Sequence, residues 1–227
     1  MGLNNEHAGR VVFDIETAPL EDAAEYLVEP IEAPANYKDP EKIAAYIAAK
    51  QAEQLAKCAL DVDLCRVVAI GWWAEGEPAL DLDAVDVNDE NGMIADFWDT
   101  VRGRQLVGFN SLDFDLPVLL RRSLYLKVPA PKINLDRYRT DHVDLMQILS
   151  FNGKLRARGL AFYTKRFGFA VPDVIESSEV GQAVAEGRWD DVRAHVTADV
   201  TKTALLAAQL GYFSKLSVSL SPEEQIA

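Results

Sequence analysis

The order of strand-like and helical segments predicts an α/β fold, one mixed sheet of five short strands flanked by helices, with a helical insertion after the first strand. Three observations carry this expectation. Strand-like runs come first, paired as a hairpin, and then alternate with helical periodicities. A long Ala-rich helical run interrupts that order between 20 and 60. No internal repeat and no low-complexity linker divides the 227 residues, so a single domain spanning 1–227 is expected.

Residues 10–15 (RVVFDI) are short, β-branched and end in charge, the pattern of a buried strand. Pro30, Pro34 and Pro40 make the following stretch a loop. Asp39-Pro40 then supplies an N-cap with proline at the first helical position, and the Ala-rich run behind it reads as a long helix. Residues 65–73 (CRVVAIGWW) form the second strand and 79–83 (ALDLD) the third, joined by a Gly/Glu/Pro turn into a hairpin. Residues 88–101 are helical, capped by Asn88 or Asp89 and stopped at Gly103. Residues 105–109 (QLVGF) form the fourth strand. A helix begins at Asp115 with Pro117 in its first turn, and 141–145 (DHVDL) make a short fifth strand. The remainder is helical, over about 155–167, near 179–186, and from 189 to about 210.

The apolar fraction of 49% and the charged fraction of 26% belong to a globular chain with a normal core, which excludes disorder and collagen-like structure. Cys58 and Cys65 are too few for a disulfide framework and carry no CxxC pattern, so neither a zinc site nor a redox centre is indicated. The first ten residues hold no apolar signal-peptide run, and Gly2 lacks the downstream Ser/Thr of a myristoylation signal. No stretch approaches the roughly 18–20 apolar residues of a membrane span. A cytoplasmic protein without membrane contact is expected. The formal charge is −13, with a pI near 4.7. Taken whole, that balance argues against loose adhesion to nucleic acid or anionic membrane.

Three groups of carboxylates stand out. Asp14 and Glu16 sit two apart at the end of the first strand, where period-2 alternation puts both side chains on one face. Two carboxylates beside an apolar strand are costly unless solvated, hydrogen-bonded or neutralised by cations. The segment GFNSLDFDLP (108–117) follows a strand and opens a helix, the place where open α/β sheets put their sites. Asp115 there lies near a helix N-terminus, which stabilises its charge. In the C-terminal helix, His195 and Asp199 are four apart and share one face. Taken singly, each group also reads as surface charge, cap or ion pair; their conjunction in this order points to a shared site.

These motifs resemble those of the DEDD superfamily of 3′–5′ exonucleases, whose fold is ribonuclease H-like, and within it the group related to the exonuclease domain of family-B DNA polymerases. FDIET matches the first motif, GFNSLDFDLP the second, and DVTKT from Asp199 the close of the third; DRYRTDHVDLMQIL is similar to the segment between the last two. The resemblance implies that Asp14, Glu16, Asp115 and Asp199 are the metal-binding carboxylates and that the cofactors are two divalent cations, Mg²⁺ or Mn²⁺. Hard cations prefer such oxygen ligands, and a metal pair can activate water and stabilise the leaving oxygen of an in-line displacement. It also implies hydrolysis at the 3′ ends of single-stranded DNA or RNA, with DNA favoured, releasing nucleoside 5′-monophosphates. This chain departs from the group at one position, since His195 occupies the spacing that usually holds Tyr. An imidazole suits general-base work near neutral pH, so His195 is read as orienting or deprotonating the attacking water. Four converging acids further predict at least one raised carboxylate pKa when no cation is bound.

Asn110, Thr17 and Phe114 are the candidate substrate contacts; Phe109 and Phe114 offer rings for a terminal base, although core packing is commoner. Asp113 is read as a loop residue, Asp144 as a structural cap, and one of Trp72 and Trp73 as a core residue. A non-catalytic nuclease-fold module that binds nucleic acid or a polymerase partner is the alternative from another class. The charge is uneven. Residues 100–170 hold 13 Lys and Arg against 5 Asp and Glu, a local +8, leaving −21 elsewhere. That basic stretch, including Arg121, Arg122, Lys127, Lys154, Arg156, Arg158, Lys165 and Arg166, is a candidate phosphate contact.

Overall fold

A computed structural model of the chain describes residues 9–27, 30–76 and 89–213. Its centre is β1 (Arg10–Pro19), a ten-residue strand whose β-branched start favours extended backbone. β1 pairs antiparallel with β2 (Cys65–Ala74) along its whole length, with a bulge between Glu16 and Thr17. On its other edge it pairs parallel with β3 (Gln105–Gly108), but only from Arg10 to Val12. β3 in turn pairs parallel with β4 (Val143–Asp144), giving the order β2-β1-β3-β4. The sheet is therefore mixed, as expected, with four strands among the described residues rather than five. The strand expected at 79–83, with its hairpin turn, lies outside the described residues.

Alternation along β1 sets two faces. Val11, Phe13 and Ile15 pack with Ile94, Phe97 and Trp98 of α3 (Glu90–Thr100) and with Leu116 and Leu119 of α4 (Asp115–Leu126). Asp89 caps α3 by accepting from the Gly92 N–H. On the opposite face, Val12 joins Val107, Val143 and the Val200, Ala204 and Ala207 stripe of α8 (Trp189–Gln209). Ala18, Val68 and Ala69 form a separate cluster there with Val180 and Ala183 of α7 (Val180–Ala185) and Val192 and Val196 of α8. Side chains such as Phe13 and Phe97, fully buried, each stabilise the fold by about 1.5–3 kcal/mol relative to exposure. Between these two apolar clusters the α8 face of β1 carries Asp14 and Glu16. The acids occupy a gap in the core.

The excursion after β1 comprises a single turn, α1 (Ala23–Tyr26), a proline-rich loop and α2 (Pro40–Lys57). Asp39 accepts from the Glu41 N–H and Pro40 stands at the first helical position, as the sequence predicts. No residue of α2 is buried, so this helix decorates the sheet rather than completing its core. A 3-10 turn (Cys58–Leu60) returns the chain to β2, and the Thr17 hydroxyl ties it to β1 by donating to the Ala59 carbonyl at 2.6 Å. Cys58 and Cys65 are buried free thiols, and burial pushes Cys65 up to about 12. Trp73 is buried in the core and Trp72 partly so. Among the described residues no helix is long and apolar enough to cross a membrane.

Several boundaries differ from the sequence expectation: the strand expected over 141–145 is only Val143–Asp144, because Asp144 caps a helix that begins at Leu145. β1 continues to Pro19 because β2 keeps pairing with it beyond the bulge. The helix expected over 155–167 starts at Leu160, as α6 (Leu160–Phe167), because 151–153 form a left-handed turn and Gly159 takes the cap position. α5 (Leu145–Leu149) precedes that turn.

One glycine positions the loop that follows β3. A Cβ on Gly108 would lie 2.4 Å from Ser111 Oγ and 3.3 Å from the Phe13 ring. Ser111 cannot yield freely, since its hydroxyl is hydrogen-bonded to His142 Nε2 at 3.0 Å. We expect Gly108→Ala to destabilise the protein by about 1–3 kcal/mol in denaturant unfolding, the usual cost of overpacking; unchanged stability would mean that the loop relaxes at no cost.

Candidate functional site

Asp14 and Glu16 lie within β1, not at its end, at the level where β3 has already stopped. Beyond Val12 the β3-side edge of β1 is open, and Asp115 uses it. The Asp115 carboxylate accepts from the Ile15 N–H as well as from its own. Asp115 itself opens α4, directly after the loop 109–114 that turns the chain out of β3. That loop is held by Asp144, whose carboxylate accepts from four backbone N–H groups, those of Asn110, Leu112, Met146 and Gln147. Asp144 is thus the structural cap expected, and it pins the segment that delivers Asp115.

α8 brings the remaining groups. His195 and Asp199 face β1, and one ligand atom each from Glu16, His195 and Asp199 lie within 4.8 Å of one another. His195 is 2% exposed, with Nε2 3.6 Å from Glu16 Oε1 and 3.2 Å from the Ser177 hydroxyl. Its other nitrogen, Nδ1, is 2.8 Å from Asp173 Oδ1. A carboxylate only accepts, so this contact assigns the ring proton to Nδ1 and leaves the Nε2 lone pair on the acid side. Lys202, one turn beyond Asp199, donates to Asp199 Oδ1 at 2.7 Å and to Asp173 Oδ2. Asp173 and Ser177 complete the cluster from outside the motifs, and Lys202 from within DVTKT.

The electrostatics match the geometry. Burial raises the Asp14 pKa well above the usual range, and the neighbouring Asp115, Asp199 and Glu16 raise it further. Glu16 is raised for the same reasons, by burial, then by Asp199, Asp115 and Asp173. Asp115 is pushed up to about 7, chiefly by burial and against the two N–H bonds it accepts. Lys202 pulls the other way on Asp14 and Glu16. Burial opposes the Lys202 ammonium itself, but its bonds to Asp173 and Asp199 outweigh that cost and hold its pKa above the ordinary value. Such a set, hard oxygen donors that resist simultaneous ionisation, fits divalent cations.

The structure therefore brings the four acids and His195 together, and Asp14, Glu16 and Asp115 are raised where the sequence predicts at least one raised carboxylate. The candidate substrate contacts sit around them. Asn110 adopts a left-handed backbone (φ 61) and its carbonyl accepts from the Asp113 and Phe114 N–H groups, a loop-forming role. The Thr17 hydroxyl proton is engaged by Ala59. Phe114 is half-buried against the α3/α4 core, and Phe109 is buried with its ring centroid 6.2 Å from that of Tyr163. Asp113 is an exposed loop residue. Lys202 was legible in principle, since His195, Asp199 and Lys202 follow i, i+4, i+7 spacing on one helix face. Asp173 has no such signal; it reaches the site from a loop that Ile175 anchors in the apolar cluster beside α7.

A family model described as a predicted 3′–5′ exonuclease related to the exonuclease domain of PolB matches residues 59–224. That range includes Asp115, His195 and Asp199, while β1 with Asp14 and Glu16 lies before it. Among solved structures, the chain is similar to the family B DNA polymerase from the hyperthermophilic archaeon Pyrobaculum calidifontis, at 19% identity and a TM-score of 0.52. The likeness covers 88% of this chain and 24% of the polymerase, and it shows the fold, a sheet flanked by helices as in a ribonuclease H-like exonuclease domain. No curated protein matches the chain. With most of its length matched, the chain belongs to the family of predicted 3′–5′ exonucleases related to the exonuclease domain of PolB.

Proposed function

We propose that this protein is a metal-dependent 3′–5′ exonuclease acting on single-stranded 3′ ends and releasing nucleoside 5′-monophosphates. The observation that carries the reading is the convergence of Asp14, Glu16, Asp115 and Asp199 in a gap of the core, with His195 beside them. The likeness to a DNA polymerase supports DNA over RNA as the substrate. Asp14, Glu16, Asp115 and Asp199 would hold two divalent cations, Mg²⁺ or Mn²⁺. Bound there, the cations would supply water activation and neutralise charge on the leaving 3′ oxygen.

The chain's own residues have separable tasks. Asp144 pins the loop that delivers Asp115, and the Ile15 N–H favours the charged form of the Asp115 carboxylate. Asp173 holds the His195 proton at Nδ1, so that Nε2 can take the proton of a water attacking phosphorus beside Glu16. As the P–O3′ bond breaks, the 3′ oxygen takes a proton from solvent, His195 returns its proton to solvent, and the terminal nucleotide leaves as its 5′-monophosphate. Lys202 fixes Asp199 and Asp173 relative to each other, joining the helix to the loop.

End-labelled oligonucleotides with Mg²⁺ or Mn²⁺ should yield a ladder shortened from the 3′ end. Asp14→Asn and Asp115→Asn should each lower its rate by at least about 100-fold, because even groups that merely orient metal ligands cost 10–100-fold. Binding without shortening would instead support a non-catalytic nucleic-acid module.

Asp173→Ala frees His195 Nδ1 and lets the proton settle on Nε2, facing Glu16. We expect kcat to fall about 10–100-fold with KM nearly unchanged, and the imidazole ¹⁵N resonances to report the changed tautomer. Wild-type ¹⁵N shifts in the variant would assign Asp173 a packing role only.

The raised carboxyls also make stability depend on pH. A carboxyl that keeps its proton to about pH 7 in the fold but only to about 4 in the unfolded chain stabilises the fold at low pH, and this contribution is lost as pH rises through about 7. Without divalent cations, the wild-type Tm should fall relative to that of Asp115→Asn between about pH 5 and pH 8. Parallel Tm profiles would remove Asp115 as the cause.

A further inference from the structure

The segment between the second and third motifs has a chemistry that the acids do not explain. Residues 145–170 carry five Lys and Arg and no Asp or Glu, in a chain whose net charge is −13. Several bases elsewhere are answered by acids. Arg122 donates twice to Glu90, at 2.8 and 2.7 Å, and is buried; Arg121 lies 3.1 Å from Asp63. Arg122 thus belongs to the fold rather than to a phosphate surface, and Arg121 is engaged in an exposed ion pair. Lys154, Arg156 and Arg158 are exposed and, among the described residues, form no ion pair.

The backbone beside them is strained. Phe151, Asn152 and Gly153 are successive left-handed residues, with φ of 53, 56 and 84°. A bulky aromatic residue is an outlier there, and such strain persists only where surrounding bonds enforce it. They do so here. The Asn152 N–H donates to the Gln147 carbonyl at 2.7 Å and the Leu155 N–H to the Ser150 carbonyl at 2.9 Å. The result holds the Phe151 ring 62% exposed. Phe162 is 43% exposed, with the Arg158 guanidinium 5.1 Å from its ring centroid.

The elements that carry this face are tied to those that carry the acids. The Gln147 amide donates to Asp113, two residues before Asp115, at 2.9 Å, and the Arg137 guanidinium lies 3.7 Å from the same carboxylate. α6 packs on α8 beside Val200 and Ala204, just beyond Asp199. Unanswered cations interleaved with exposed rings suit a single strand, whose phosphates meet the cations and whose unpaired bases stack on the rings. A duplex presents no free base faces.

We propose that Phe151, Lys154, Arg156, Arg158 and Phe162 form the track on which the single strand leading into the acids lies. The proposal rests on the exonuclease reading only for the direction of the strand, and direct binding tests it independently. The probe is a fluorescein-labelled oligothymidylate of about 12 residues, measured by anisotropy in Ca²⁺ at several salt concentrations, with the duplex of equal length as comparison. Arg156→Glu with Arg158→Glu should weaken binding at least about tenfold and flatten the salt slope by about 0.7 for each phosphate no longer neutralised.

Phe151→Gly should weaken binding too, yet raise the Tm by about 2–4 °C, because glycine removes the left-handed strain. A residue kept for packing would not separate the two. Undiminished binding in these variants, or equal losses on duplex and single strand, would overturn the track. If the wild type shortens no oligonucleotide while the variants still lose binding, the exonuclease reading fails and the track stands.

Discussion

The burial of neighbouring carboxylates is the constraint around which this protein is organised. Asp14 and Glu16 occupy a gap between two apolar clusters on one face of β1, and α8 closes over it with Asp199. Asp14, Glu16 and Asp115 do not ionise freely, because burial first and the neighbouring carboxylates second raise their pKa values. A fold built only for stability would fill the same gap with valine or alanine, as it does on either side.

Much of the local architecture follows from holding those acids in place. β3 stops at Gly108, which leaves the Ile15 N–H available to Asp115. Gly108 admits Ser111 at close range, and Asp144 gathers four N–H groups to fix the loop. On the helix side, Lys202 and His195 converge on Asp173, so one loop carboxylate orients both an imidazole and an ammonium group. Each device supplies a hydrogen bond or opposite charge where the acids would otherwise be unsupported.

The charge distribution follows the same division of labour. The net −13 describes neither the site nor its surroundings. The acids concentrate where cations fit, while the acid-free stretch 145–170 lies alongside them and keeps its bases and rings exposed. A net charge is a sum over surfaces that act separately, and here the local sign matters more than the total.

Much was legible from the chain alone, for physical reasons. Period-2 alternation placed Asp14 and Glu16 on one face, four-residue spacing placed His195 with Asp199, and the cap at Asp39 marked α2. These are local rules, written in a few neighbouring residues. Other features depended on partners far along the chain. The extent of β1 rests on its pairing with β2, so Asp14 and Glu16 lie mid-strand rather than at an end. The late start of α6 rests on the turn locked by Gln147 and Ser150. Arg122 reads as a free base until Glu90 meets it from another helix. Asp173 reaches His195 across 22 residues with no periodicity to announce it. Spacing along the backbone determined which side chains share a face; only the tertiary structure decided which faces meet, because that depends on packing between segments remote in sequence.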